Sequence, residues 1–149
     1  MMITTPLANP LPKRLLIVDD HPDLATTLAR TVAQVCPGLE VLTSRSGRDA
    51  LEQIEDLQLD VLITDLMMPE MNGLELIEAL QSRPIGGPGF IVLITAYEME
   101  GLEDNAKRLN INATVLKPFP PGLLIQIVRR ALEESSPRIE LKQPEPHLQ

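Results

Sequence analysis

Five short stretches of almost unbroken aliphatic residues recur along this chain. Between successive stretches the apolar residues return at helical spacing. The stretches are LLIV (15–18), LEVLTS (39–44), DVLIT (60–64), FIVLI (90–94) and ATVL (113–116). A strand buried on one face alternates apolar and polar residues, whereas strands this continuously aliphatic are covered on both faces. The helical faces are Leu24, Leu28, Val32 and Val35; Ala50, Leu51, Ile54 and Leu57; Leu74, Ile77 and Leu80; Met99, Leu102, Ala106 and Leu109; and Leu124, Ile127, Val128 and Ala131. Strand then helix, five times over, predicts an α/β domain: a (βα)5 parallel sheet with helices on both faces. Pro22 suits the first turn of the first helix, CPG (36–38) stops it, and Pro120-Pro121 opens the last.

Only 2% of the 149 residues are aromatic against 44% hydrophobic, so the core must be built from Leu, Ile, Val and Met. Prolines at 6, 10 and 12, and again at 137, 144 and 146, mark a flexible lead (1–12) and tail (136–149) around a domain spanning 13–135. The net charge of −8 argues against nucleic-acid binding through a general basic surface. The single cysteine, Cys36, excludes an internal disulfide and reads as a small core residue. No apolar run reaches about 18 residues, so no membrane span is expected. The N-terminus also lacks the order of a secretory signal, so a cytoplasmic protein is expected.

The polar residues that end the strands carry the chemistry. Asp19 and Asp20 follow the first run, Asp65 the third, Thr95 the fourth and Lys117 the fifth. In a parallel sheet these ends share one edge, where open α/β sheets bind their ligands. Each has a plainer reading: Asp20 as a cap of the first helix, Thr95 as a cap of the fourth, Lys117 as a solvated loop residue. Three carboxylates brought together repel unless cations sit among them. Lys117 supplies one positive charge, and Mg²⁺, which takes carboxylate and phosphate oxygens, would supply more. An Asp carboxylate is also a nucleophile toward phosphorus. Phosphoryl transfer to it needs positioning and charge neutralisation, and here Lys117 and the Thr95 hydroxyl can take phosphate oxygens. Asp65, rigid at the end of the most buried strand, is the predicted acceptor.

The segments LLIVDDHPD, VLITDLMMPEMNGLELI, IVLITAY and VLKPF closely resemble the receiver domain of two-component response regulators, in the right order over about 120 residues. The resemblance implies a doubly wound, flavodoxin-like sheet of order 2-1-3-4-5. It implies that Asp65 takes a phosphoryl group from a sensor histidine kinase or phosphotransfer protein. Asp19, Asp20, Asp65 and the backbone carbonyl of Met67 would hold Mg²⁺. Thr95 would be the switch hydroxyl, Lys117 would pair with phosphate, and the Lys117-Pro118 bond would be cis. Met67 and Tyr97 would tune the lifetime of the aspartyl phosphate, here toward longer life. Output would run through the face of the fourth helix, fifth strand and fifth helix, toward an unknown output protein or domain or a second copy in a homodimer. The chain would phosphorylate and dephosphorylate itself without turning over external substrates.

Two positions depart from the family. Receivers commonly carry Tyr or Phe three residues before the lysine, and here Thr114 stands there. NINA (110–113) replaces a frequent Gly-Ala pair. The relay from site to surface must then use another residue, and a phosphorylation-independent interaction scaffold is the alternative function. An aspartate-nucleophile phosphatase would need a second acid where Met67 stands. PIGGPGF (84–90) has no phosphate-loop pattern and reads as the loop into the fourth strand. His21 follows the acidic pair and could serve as a ligand or a phosphate carrier, but reads rather as a rim residue opening the first helix. SPRIELKQPEPHLQ (136–149) is too short for an output domain. Either a stand-alone receiver or part of a longer regulator is therefore expected.

Overall fold

A computed structural model of the chain describes residues 11–134; the lead and tail expected from the sequence lie almost entirely outside the described residues. Strands β1 (Arg14–Val18), β2 (Glu40–Ser44), β3 (Val61–Asp65), β4 (Phe90–Thr95) and β5 (Ala113–Leu116) alternate with helices. The helices are α1 (Pro22–Val35), α2 (Gly47–Ile54), α3 (Gly73–Gln81), α4 (Leu102–Arg108) and α5 (Pro121–Glu134). All strand pairs are parallel, in the order β2-β1-β3-β4-β5. The expected doubly wound sheet and its strand order are therefore observed.

Strand parity sorts the core into two layers. Leu15, Ile17, Val61, Ile63, Phe90, Val92, Ile94 and Val115 face one side, against Ala25, Leu28 and Val32 of α1 and Leu124, Val128 and Ala131 of α5. Leu16, Val18, Leu62, Ile91 and Leu93 face the other, against Ala50 and Ile54 of α2, Leu76, Ile77 and Leu80 of α3, and Leu102 of α4. Burying each such aliphatic side chain contributes about 1.5–3 kcal/mol, which is how a core with so few aromatics holds together.

Local signals fix the helix starts near the ligand edge. Ser46 caps α2 by accepting the Asp49 N–H at 3.0 Å. Asn72 and Glu75 form a reciprocal capping box at α3, each bond 2.9 Å. Gly73, the first residue of α3, is needed for a close approach. A Cβ there would meet the Asp65 carbonyl oxygen at 2.5 Å and Leu93 Cδ1 at 3.0 Å. Its N–H donates to Leu66 O at 2.8 Å, so α3 is clamped against the end of β3.

Four details differ from the sequence reading. Val35 and Leu57 are exposed, the first at the last turn of α1 and the second beyond the end of α2. Leu76, absent from the predicted face, is fully buried in α3. Met99 lies outside α4 and is exposed, because Gly101, at φ +81°, ends the preceding loop and lets the helix begin only at Leu102. No helix among the described residues is long and apolar enough to cross a membrane.

Candidate functional site

The ligand edge is assembled by register. β1 and β3 pair Val18 with Thr64, so Asp19 and Asp65 leave adjacent strands side by side. Both continue the parity of the α1–α5 face, as does Lys117, two residues past Val115. Asp19 and Asp65 are buried, at 3% and 5% exposure. The Lys117 ammonium lies 3.6 Å from Asp65 Oδ1 and 3.9 Å from Asp19 Oδ2, bridging the two. Lys117 N–H donates to Thr95 O at 2.8 Å, and the Lys117-Pro118 bond that follows is cis, as expected.

Asp20 and His21 complete the cluster. Ligand atoms of Asp19, Asp20, His21 and Asp65 all lie within 4.8 Å of one another. The reading of Asp20 as a helix cap is corrected: His21 occupies the N-cap position of α1, and neither side chain caps the helix. Asp19 Oδ1 instead accepts the His21 N–H at 2.8 Å and has His21 Nδ1 at 3.1 Å. Asp20 Oδ1 is buried without a hydrogen-bond partner, although His21 Nδ1 is 3.2 Å away. A buried carboxylate oxygen left over in this way costs free energy unless something charged completes it.

The electrostatics agree. Burial raises the Asp65 pKa above the ordinary aspartate value, and Asp19 and Asp20 add to the rise. Lys117 and the Leu66 backbone pull it down, but the net shift is upward. The site is thus a crowded set of carboxylates with one protein cation, and the all-oxygen donors Asp19, Asp20 and Asp65 fit a hard divalent ion such as Mg²⁺.

Thr95 is fully buried on the opposite parity, following Ile91 and Leu93. Its reading as the α4 cap is corrected too, since Gly101 holds that position. The hydroxyl is engaged within its own loop, donating to Tyr97 O at 2.9 Å and accepting from Tyr97 N–H at 3.1 Å. Met67 and Tyr97 are exposed, at 57% and 67%. Thr114 is exposed on β5, where short α4 leaves a groove of about 430 Å³ lined by Met99, Leu102, Ala106, Thr114 and Leu116 and rimmed by Glu98 and Glu103. That groove was missed in the sequence, whereas the place of His21 beside both aspartates agrees with the ligand reading that its adjacency to the acidic pair raises.

The family model of the response regulator receiver domain matches residues 15–129. The regulatory protein AtoC of Escherichia coli is 33% identical over 87% of this chain, which spans 27% of AtoC's own length. Protein Rrf1 of Nitratidesulfovibrio vulgaris is 34% identical over 82% of this chain and 84% of its own length. Among solved structures, the chemotaxis protein CheY4 of Vibrio cholerae superposes with a TM-score of 0.72 at 27% identity, covering 80% of this chain and 98% of CheY4. By its sequence and its fold, this chain belongs to the response regulator receiver domain family.

Proposed function

We propose that the chain is a phosphorelay switch whose acceptor is Asp65. The observation that carries this is the convergence of Asp19, Asp20, Asp65 and Lys117 at one strand-end cluster in a receiver fold. One oxygen of the Asp65 carboxylate attacks the phosphorus of a phosphohistidine on a kinase or phosphotransfer partner. The new P–O bond forms as the P–N bond breaks, and the electron pair stays on the departing imidazole, which takes up a proton. Lys117, already within reach of Asp65, pairs with a phosphate oxygen. Asp19, Asp20, Asp65 and the Met67 carbonyl would hold Mg²⁺, which when bound neutralises charge on the phosphoryl oxygens. Thr95 would exchange its Tyr97 partners for a phosphate oxygen. Met67 and Tyr97 would restrict water and slow hydrolysis.

The chain would act on itself alone, in the cytoplasm, and signal by shifting a balance between two surface states over α4, β5 and α5. Its output partner would be a protein or domain, or a second copy, docked on that face. Family membership and the converged groups favour this over the phosphorylation-independent scaffold.

Incubation with a small acyl phosphate or phosphoramidate and Mg²⁺, followed by intact mass, tests the reading. One phosphoryl adduct is expected, absent from Asp65→Asn and from a chelated sample. A folded protein that binds Mg²⁺ yet gains no adduct would favour the scaffold.

A further inference from the structure

His21 has no structural duty that its position would predict. Residues at a helix N-cap ordinarily have side chains that accept a backbone N–H of the first turn. His21, at the N-cap of α1 with extended backbone angles, makes no such bond. Pro22 at the first helical position already fixes the chain's entry into the helix. The ring turns instead toward the carboxylates, with Nδ1 3.1 Å from Asp19 Oδ1 and 3.2 Å from Asp20 Oδ1, while the side chain stays 71% exposed. Its imidazole nitrogen and three carboxylate oxygens lie within 4.8 Å of one another. Two ligands on opposite sides of one ion are at most about 4.2 Å apart at bonds of ~2.1 Å. Small side-chain rotations therefore suffice to close this set on a single ion. The least satisfied atom of the set, Asp20 Oδ1, is the buried oxygen nearest the ring, after that of Asp19.

An imidazole changes which ion such a site prefers. Mg²⁺ is a hard cation served by oxygen, and a nitrogen ligand adds little for it. Zn²⁺ and its first-row neighbours bind imidazole well and bind mixed nitrogen and oxygen sites more tightly than Mg²⁺ does. We infer that His21 is a fourth ligand of the acidic site, making it a mixed nitrogen–oxygen centre that takes Zn²⁺ in preference to Mg²⁺. The inference rests on the proposed divalent site and adds a ligand and an ion to it. Zn²⁺ held by His21, Asp19, Asp20 and Asp65 would take the place of Mg²⁺ on Asp65, so the two ions compete for one site.

The test is calorimetric titration of the full chain with Zn²⁺ alone and with Mg²⁺ alone, for wild type, His21→Ala and Asp20→Asn. The ¹⁵N signals of the histidine rings are followed in parallel. His21→Ala should weaken Zn²⁺ binding at least about tenfold, the lower end of what even outer partners of a metal ligand contribute. Mg²⁺ affinity should change by less than about twofold, since nitrogen adds little for that ion. Asp20→Asn should weaken both ions, and the Nδ1 signal of His21 should move on Zn²⁺ addition. If His21→Ala leaves the affinities for both ions unchanged, or lowers both equally, and the ring signal does not move, the fourth-ligand role is overturned while the Mg²⁺ site stands. Absence of Mg²⁺ binding in wild type would instead overturn the divalent site beneath it, and the Zn²⁺ titration keeps the two failures apart.

Discussion

Replacing Asp65 by Asn should stabilise the protein when no divalent ion is present, although it deletes an ion pair. The geometry sets the size. At an effective dielectric constant of about 20, two like charges 4.8 Å apart repel by ~3.5 kcal/mol. Asp65 lies within that distance of both Asp19 and Asp20. Its attraction to Lys117 at 3.6 Å is ~4.6 kcal/mol on the same scale. Two repulsions therefore exceed one attraction by about 2 kcal/mol. The burial that raises the Asp65 pKa acts in the same direction. Asn keeps the shape and removes the charge.

The assay is urea unfolding of wild type and variant at pH 7 in a chelator. With a slope of about 1–3 kcal/mol per molar, the midpoint should rise by roughly 1 M. An acid whose folded pKa is raised is penalised only where it ionises. The gain should thus be full above the folded pKa, shrink as pH falls through it, and vanish below the unfolded value of about 3.9. Mg²⁺ at a hundred times its dissociation constant would stabilise the wild type by about 2.7 kcal/mol, closing or reversing the gap. A variant no more stable than wild type in chelator at pH 7 would refute the reasoning.

Three further substitutions probe other parts of the argument. Gly73→Ala should destabilise by about 1–3 kcal/mol through overpacking, against a helix-propensity gain of at most ~1 kcal/mol, and should slow phosphoryl adduct formation because the clash is with the Asp65 peptide itself. Lys117→Met should lower stability in chelator by about 3–5 kcal/mol by leaving buried carboxylates uncompensated, yet tighten Mg²⁺ binding in calorimetry by removing a competing cation. Leu76→Ala, at a fully buried position between α3 and the sheet, should cost about 2–5 kcal/mol in urea unfolding.

The strands were legible because β1, β3 and β4 are covered on both faces and so read as unbroken aliphatic runs. The acidic site was legible for a related reason: each of Asp19, Asp65, Thr95 and Lys117 stands where such a run ends. Helix faces were less clear. Leucines crowd α3, so spacing alone did not separate half-buried Leu74 from buried Leu76. A start for α4 at Met99 fitted the periodicity, but Gly101 in a left-handed conformation delays it. Nor does spacing report what a side chain does after its strand ends. The bond from Thr95 into its own loop and the turn of His21 toward two aspartates depend on loop geometry that no residue pattern encodes.

The two bonds between the Thr95 hydroxyl and Tyr97 have a consequence for how costly a change of state would be. The hydroxyl has a single proton, and it is committed to the Tyr97 carbonyl while a lone pair holds the Tyr97 N–H. Turning it toward a phosphate would release both backbone groups at once. Because residues 96 to 101 run over the surface, water can take up each freed group, and the net loss is limited to about 0.5–1.5 kcal/mol per bond. The side chain that has to turn is Thr95 itself, which is fully buried. The loop leading to α4 would thereby learn the state of Asp65 through a swap of hydrogen-bond partners, at the scale of thermal fluctuation rather than of unfolding.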